Sequence, residues 1–364
     1  MNKQMDEIGK LRALFKSAKN DYEILKKSAE AQAVSRRWAS DEYINLEPFY
    51  FEFNRFSKGR VLKEAPKKIA NAYEYGFDAR GRTVFERQYV SEKYFYEEFY
   101  FWRQDEILSY RFDYYDKKCV NVKRFVYEDG ALKSIYSAFA SEGYWIENFT
   151  YESGKLAQKQ WRGTDPYGGK FDRVINYKFD AIGELSLIVE GGYVHYRKPD
   201  KKMSYKKLYE LAAQRLLPAI KETIKKHAPD CKLYCINLAC DNRSLPPIIG
   251  FGSQEQRAQW LARKDGWLLW LVPDYEFRAE VEVDYETAKI FDLFNQETQL
   301  NDKYAQAKKL IWECVKQLKA GLGEFALDMT DDFTITATDC DLGDLRKNFK
   351  AINPELASTY KGKI

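Results

Sequence analysis

Histidine is almost missing from these 364 residues; the chain has two, His195 and His227. That scarcity argues against His-based catalysis and His-rich metal binding, the two jobs imidazole does most often. No run of 18 uncharged apolar residues occurs, so no helix is expected to cross a bilayer. The opening stretch, MNKQMDEIGK, lacks the apolar core of a secretory signal. The chain is therefore expected to be cytoplasmic, with its six cysteines as reduced thiols. A GxSxG nucleophile elbow is absent. Charge of one sign is also lacking: 59 Lys plus Arg against 55 Asp plus Glu leave +4. Such a balance carries no general nucleic-acid footprint, and no direct nucleic-acid contact is expected.

Aromatic residues are what the chain has in excess, at 16%. They suit pleated, half-buried surfaces and point to a β-rich part. Before that part, Met5, Ile8, Leu11, Phe15, Ala18, Tyr22 and Leu25 recur at threes and fours, predicting a helix from residue 3 to about 37. The period then changes. Phe49, Phe51 and Phe53 alternate, which reads as a strand within 43–56. From Tyr73 to Tyr196 a degenerate unit recurs: Tyr75-Gly-Phe77-Asp78 up to Gly81, Phe125-Val-Tyr127-Glu128 up to Gly130, Phe149-Thr-Tyr151-Glu152 up to Gly154, and Tyr177-Lys-Phe179-Asp180 up to Gly183. Phe99-Tyr-Phe101-Trp102 fits between them without its glycine. Two aromatics at i and i+2 share one face of a strand. The acidic residue and glycine that follow suit a tight hairpin turn. The region predicts one antiparallel meander with turns at Gly81, Gly130, Gly154 and Gly183.

These units resemble the tyrosine-aspartate (YD) repeats of bacterial Rhs-type proteins and the related meander sheets of some antitoxins. Phe-Asp and Tyr-Glu stand where the strict dipeptide would be. The resemblance implies a sheet of hairpins laid side by side.

Arg197-Lys-Pro199-Asp-Lys-Lys202 is a polar junction and marks a domain boundary. Beyond it the pattern is mixed. Helices are expected over 204–227, with a kink or break at Pro218, and over 253–263, 285–296 and 302–318, with another opening at Asp341 or Leu342. Strands are expected over 232–240, 267–272, 277–283 and 333–338. The predicted fold class is thus α+β: an N-terminal helix (1–40), an aromatic-rich antiparallel β-meander (41–200), and a separate mixed α/β domain (201–364).

Several motifs have competing readings. Cys231, Cys235 and Cys240 lack a fourth ligand and the knuckle spacing of a structural zinc site, and read as core thiols. Gly250-Phe-Gly252-Ser253 precedes a helix, as a phosphate loop would. The third glycine is missing, and Ser253 with Gln256 reads better as a capping box. His195 and His227 have no recognisable nucleophile partner.

Carboxylates are the stronger signal. Between Asp274 and Asp344, 17 Asp plus Glu face 7 Lys plus Arg, a net of −10, which leaves the rest of the chain at +14. Asp328, Asp331, Asp332, Asp339, Asp341 and Asp344 form the densest part and are the candidate partner-binding residues. Helix capping and solvation, an acidic docking surface, and metal or catalytic chemistry all compete for them. No catalytic residue, metal site or cofactor is assigned.

Residues 203–364 resemble the α/β domains of immunity proteins in bacterial polymorphic toxin systems. The likeness lies in a long opening helix ending at Lys226-His227, the strand Leu233–Leu238, Pro246-Pro247 leading to Gly252, the Trp-rich Trp267-Leu-Leu-Trp270, and an end bearing Asp331, Asp332, Asp339 and Asp341. The resemblance implies a non-enzymatic binder that neutralises a cognate toxin by covering its active site. The partner would be a toxin domain, a basic nuclease among the candidates, and no membrane partner is implied. Two alternatives stand beside it: a carbohydrate- or envelope-binding module using the aromatic sheet, and a carboxylate hydrolase using Asp331, Asp339 or Asp341.

Overall fold

The computed structural model describes residues 2–241, 244–339 and 341–356. The chain divides into two compact units, Met1–Lys198 and Pro199–Ile364. The α+β class holds: a long antiparallel meander sheet in the first unit, and a mixed sheet with helices in the second.

The first unit opens with α1 (Asn2–Gln32). Its apolar stripe buries Ile8, Leu11, Ala18 and Ala29 against Val84, Phe99, Phe112 and Val122 of the sheet. Each large apolar side chain buried this way contributes roughly 1.5–3 kcal/mol. The first 40 residues are therefore a layer of this unit, not an element apart. The helix also ends earlier than its pattern suggested. Residues 35–39 pair instead as β1 (Ser35–Ala39), where Trp38 stacks on Tyr89 at 5.4 Å.

The sheet has 13 strands. After β1 come β2 (Val61–Leu62), β3 (Tyr73–Phe77), β4 (Thr83–Tyr89), β5 (Phe95–Trp102), β6 (Glu106–Phe112) and β7 (Cys119–Glu128), then β8 (Ala131–Phe139), β9 (Tyr144–Glu152), β10 (Lys155–Thr164), β11 (Lys170–Phe179), β12 (Leu185–Glu190) and β13 (Tyr193–Arg197). From β3 to β13 each strand lies beside the next; β1 joins β3, and β2 lies outside β1. Two kinds of turn connect the hairpins. Asp129 and Gly130 both take positive φ, 50° and 78°, as do Ser153 and Gly154, at 50° and 76°. These are two-residue turns whose twist matches the strands. At the other kind, Asp78 Oδ1 accepts from the amides of Arg80 and Arg82, and Asp180 Oδ1 from those of Ile182 and Glu184. The acid after the aromatic pair is there to tie the turn. Gly130→Val should destabilise the unit by ~1–2 kcal/mol, because a β-branched residue resists positive φ. No atom lies within 4 Å of an added Cβ there, so backbone conformation alone sets the cost. An unchanged melting temperature would overturn the turn assignment.

The segment from Glu42 to Arg55 crosses the sheet face opposite α1, and we call it the strap. The expected strand around Phe49–Phe53 is not present. Residues Tyr50–Asn54 form a short helix, α2. Phe49 meets Tyr177 and Phe179, and Phe53 meets Trp161 and His195. Spacing i, i+4 is one face of a helix, so this pair, not the 49–51–53 alternation, carried the structural signal. The strap is anchored at β3, where the Tyr43 amide donates to Tyr75 Oη at 2.9 Å, and at β13, where Phe53 stacks on His195 at 4.3 Å. Ten strand-to-strand steps separate these anchors, so the strap runs across the sheet from β3 to β13.

The second unit is built from α3 (Tyr205–His227), β14 (Leu233–Ala239), β15 (Ile248–Ser253), α4 (Gln254–Ala262), β16 (Phe277–Glu280), α5 (Tyr285–Leu300), α6 (Tyr304–Ala320), β17 (Met329–Thr338) and α7 (Leu345–Ile352). Its sheet runs β16-β15-β14-β17, with β14 and β17 parallel and the other neighbours antiparallel. One face packs on α3, α5 and α6. Tyr234 and Cys235 face the other way, against Trp260, Trp270, Tyr275 and Phe349. Pro218 does not break α3. It lies on the exposed side, where water can satisfy the carbonyl it leaves free, while Leu208, Ala212, Leu216 and Ile220 hold the buried side. Residues 267–272 are not a strand either; Gly266–Trp270 and Val272–Asp274 are 3₁₀ turns. A short apolar run has no period of its own, and burial of Leu269 and Trp270 is met by a turn as well as by a strand. The outer edge of β17 is closed by side chains. Asn348 Nδ2 donates to Ala337 O at 2.7 Å, and Asn353 Nδ2 to Ile335 O at 2.9 Å.

Candidate functional site

The six candidate aspartates do not form one patch. They fall at the two ends of β17, roughly 20 Å apart along the strand. At its start the pairing with β14 jumps. Leu233 faces Met329 and Cys235 faces Thr334, so four residues of β17 stand against one of β14. Residues 330–333 bulge out and carry Asp331 and Asp332. Asp331 is exposed. Asp332 is spent on a two-pronged bridge to Arg257, at 2.9 and 2.6 Å, and the Arg257 guanidinium also lies over the Tyr234 ring. Both aspartates line an open groove of about 570 Å³ with Lys232, Gln254 and Leu261.

At the far end, Asp339 accepts from the Gly343 amide at 3.0 Å, and Asp344 pairs with Lys308 at 2.5 Å. Asp344 precedes α7 but makes no side-chain cap. Asp341 is exposed; its neighbour Cys340 lies outside the described residues. A hydrolytic pair drawn from Asp331 and Asp339 or Asp341 is thereby ruled out by distance. Among the described residues no group of three or more His, Cys, Asp or Glu converges to hold a metal ion.

A different set of carboxylates does converge. The starts of β14, β16 and β17 and the end of β15 share one end of the sheet, as the pairs Leu233–Ser253, Leu233–Met329 and Phe251–Phe277 require. That end gathers Asp230, Glu255, Glu276 and Asp328, all exposed, beside Asp331. Their convergence registers on the Cys231 thiol. Its pKa is raised first by burial, then by Glu276, Asp230, Asp328 and Glu255 in turn. Sequence reading found Asp328 and Asp331 but missed Asp230, Glu255 and Glu276, which are scattered along the chain and meet only through strand register.

The remaining motifs serve packing. Cys235 donates to or accepts from Tyr275 Oη at 3.2 Å, and burial pushes its thiol up to about 12. Cys235 and Cys240 pack into opposite faces of the sheet. Gly250 and Gly252 lie within β15, where an added Cβ would meet Tyr275 and Val272, or Tyr234 and Cys235, at 3.0 Å or less. They are places of close approach between strand and aromatic rings. Ser253 caps α4 by accepting from the Gln256 amide at 3.1 Å. Gln256 does not reach back; its side chain donates to Asp274 O instead. His195 meets Glu190 at 3.0 Å and lies under Phe53; its pKa is lowered, first by burial and then by Arg173 and Arg55, against the opposing pull of Glu190.

The first unit holds three buried ionic clusters that the sequence reading also missed. On the α1 side, Arg87 contacts Glu30 of the helix, Glu74 at 3.1 Å and Glu97 at 2.6 Å. On the strap side, Glu86, Glu98 and Arg111 face one another across three strands. Burial holds the Glu86 carboxyl well above the usual range, and Glu98 and Glu42 add to that while Arg111 and Lys123 oppose it. Further along, Lys159 contacts Glu47 of the strap, and Glu147 at 3.3 Å. The available signal was charge at inward strand positions, as in Val84-Phe-Glu86-Arg-Gln88. Together these clusters bind helix and strap to the sheet.

Among the described residues no helix is long and apolar enough to cross a membrane. No family model matches the chain. No curated protein matches it. Among solved structures it is similar to a porin-like protein from Bacteroides uniformis ATCC 8492, at 10% identity and a TM-score of 0.24, over 44% of this chain and 56% of that one. The chain thus spans little more than half the length of that neighbour, and a likeness this distant says nothing about what the chain does.

Proposed function

We propose that the chain is a cytoplasmic, non-enzymatic binding protein of the immunity type, which neutralises a cognate bacterial toxin domain by covering its active site. The observation that supports this reading is the acidic rim of the second unit, where Asp230, Glu255, Glu276, Asp328 and Asp331 are displayed at one end of the sheet. Loops at strand ends present residues to partners on a rigid frame. A rim with an excess of negative charge, here with exposed Lys232 among its carboxylates, speeds encounter with a basic partner and mimics the charge of a nucleic-acid substrate. The opposite end, with Asp339, Asp341 and Asp344, is secondary, since two of its three carboxylates are held within the chain. The meander of the first unit, similar to YD repeats, would serve as the scaffold.

The test is the association rate with the toxin domain encoded beside this chain's gene. A variant with Asp230, Asp328 and Asp331 changed to Asn, and Glu255 and Glu276 to Gln, should associate roughly tenfold more slowly at low salt. The two rates should approach each other at high salt. Melting temperature should hardly move, because these side chains are exposed. Equal rates at every ionic strength would leave the rim as a solvated face.

A further inference from the structure

The outer strands of the two sheets are β2, β13, β16 and β17. All but one are closed or too short to recruit another strand. Asn348 and Asn353 occupy the carbonyls of Ala337 and Ile335 on β17. Arg55 occupies those of Val194 and His195 on β13. β2 is only two residues long. The exception is β16, Phe277–Glu280. β15 pairs with it on one side. Among the described residues, no other backbone or side-chain group bonds the main chain of Phe277–Glu280. An open edge presents a row of N–H and C=O groups, and another extended chain is their complement.

We propose that this edge pairs with the same edge of a second copy of the chain, antiparallel and centred on Ala279, so that two sheets join into one. Charge selects both the partner and the register. Arg278 and Glu280 are exposed and, two residues apart, share one face of β16. In a two-fold antiparallel pair centred on Ala279, Arg278 of each copy lies directly opposite Glu280 of the other. Centring on Arg278 or on Glu280 instead would set that residue against its own charge. Both side chains are available for the pairing. Glu280 has no bonding partner among the described residues. Arg278 donates to Pro273 O and keeps further donors in its guanidinium. The two residues line an open cleft of about 520 Å³ with Ile248 and Pro246, which leaves their face accessible. On the opposite face, Phe277 would meet Val281 of the second copy and extend the apolar layer that both already join. Glu276 and Glu282 lie just outside the paired stretch, and Glu282 carries Lys226 at 2.7 Å as a counter-charge. This pairing does not rest on the immunity reading. Because the strands run antiparallel, the two acidic rims would lie at opposite ends of the joined sheet.

The experiment is sedimentation equilibrium of the full chain. So short an edge belongs to the weak class of interfaces, and a reversible monomer–dimer equilibrium is expected between about 10 μM and 1 mM. Arg278→Glu and Glu280→Arg each set like charges opposite one another, and each alone should weaken dimerisation about tenfold or more. An equimolar mixture of the two variants restores both opposite-charge pairs and should dimerise as the wild type does. Both side chains are exposed, so melting temperatures should hold. The proposal fails if the wild type stays monomeric at about 1 mM, if the single variants dimerise as tightly as the wild type, or if the mixture does not recover. It also fails if the amides of Phe277–Glu280 gain exchange protection only from a foreign extended peptide, which would give the edge to another protein.

Discussion

Lys159→Ala is expected to lower the unfolding free energy of the first unit by ~3–5 kcal/mol, the range seen when one partner of a buried ion pair is removed. The Lys159 side chain is 2% exposed. Its ammonium contacts Glu47 of the strap and Glu147 of β9, and lies 4.2 Å from the Phe53 ring centre and 5.3 Å from that of Trp161. Removing it leaves two carboxylates facing each other in a low-dielectric space, and takes a cation from two ring faces. The strap should loosen as a unit, since Glu47 and Phe53 both lose the same partner. Urea unfolding followed by tryptophan emission measures the effect. A companion variant, Lys159→Met with Glu47→Gln, should recover much of the loss by removing the stranded charge along with its partner. A loss below about 1 kcal/mol for Lys159→Ala would show that the strap is held by its aromatic contacts alone.

Glu86→Gln should flatten the fall in stability that the wild type is expected to show as pH rises. Burial holds the Glu86 carboxyl protonated well above its ordinary value of 4.5. Below that value folded and unfolded chains both carry the proton, and the group's stabilising contribution is fully present. Above it the unfolded chain releases the proton while the folded chain keeps it. Stability then declines by up to about 1.4 kcal/mol per pH unit, until the folded group also ionises. Glu147, pushed up to about 7 by burial and by Glu47, acts in the same direction but ends its contribution near that pH. Glu42 is likewise raised, first by burial. The wild type should therefore lose stability from about pH 5 upward, with the Glu147 contribution complete near pH 7. Urea midpoints from pH 5 upward would separate the two: Glu147→Gln should flatten the curve up to about pH 7, and Glu86→Gln should flatten it over the range in which the folded carboxyl keeps its proton. Parallel curves for wild type and Glu86→Gln would mean that the carboxyl is ionised in place.

How much of this was readable in the sequence depends on the range over which each signal acts. Helix α1 announced itself through Ile8, Leu11 and Ala18, and the sheet through paired aromatics, because both periods are local. Phe49 and Phe53 were misread because Phe51 between them completed an alternation that the tertiary contacts do not use. The acidic rim was half visible. Asp328 and Asp331 are close in sequence, but Asp230, Glu255 and Glu276 join them only when β14, β15, β16 and β17 are in register. The bulge at 330–333 separates Asp331 from Asp332 in role, giving one to solvent and one to Arg257, and no residue pattern foretells a register jump of that size. Glu86, Glu98 and Arg111 went unread, because charge on a strand is ordinary where one face meets solvent, and the burial of Glu86 and Glu98 comes only with tertiary packing.

The strap also imposes a schedule on folding. Each hairpin of the meander pairs with the one made just before it, so the sheet can grow from β3 onward as the chain leaves the ribosome. The strap is synthesised earlier still, yet Arg55 makes its hydrogen bonds to the carbonyls of Val194 and His195, the latter 140 residues downstream. At about 5–20 residues per second, that anchor appears roughly 7–28 s after the strap itself. Throughout that interval Phe49 and Phe53 have no finished seat, and a nascent chain stalled or cut before β13 would present them to whatever apolar surface is near.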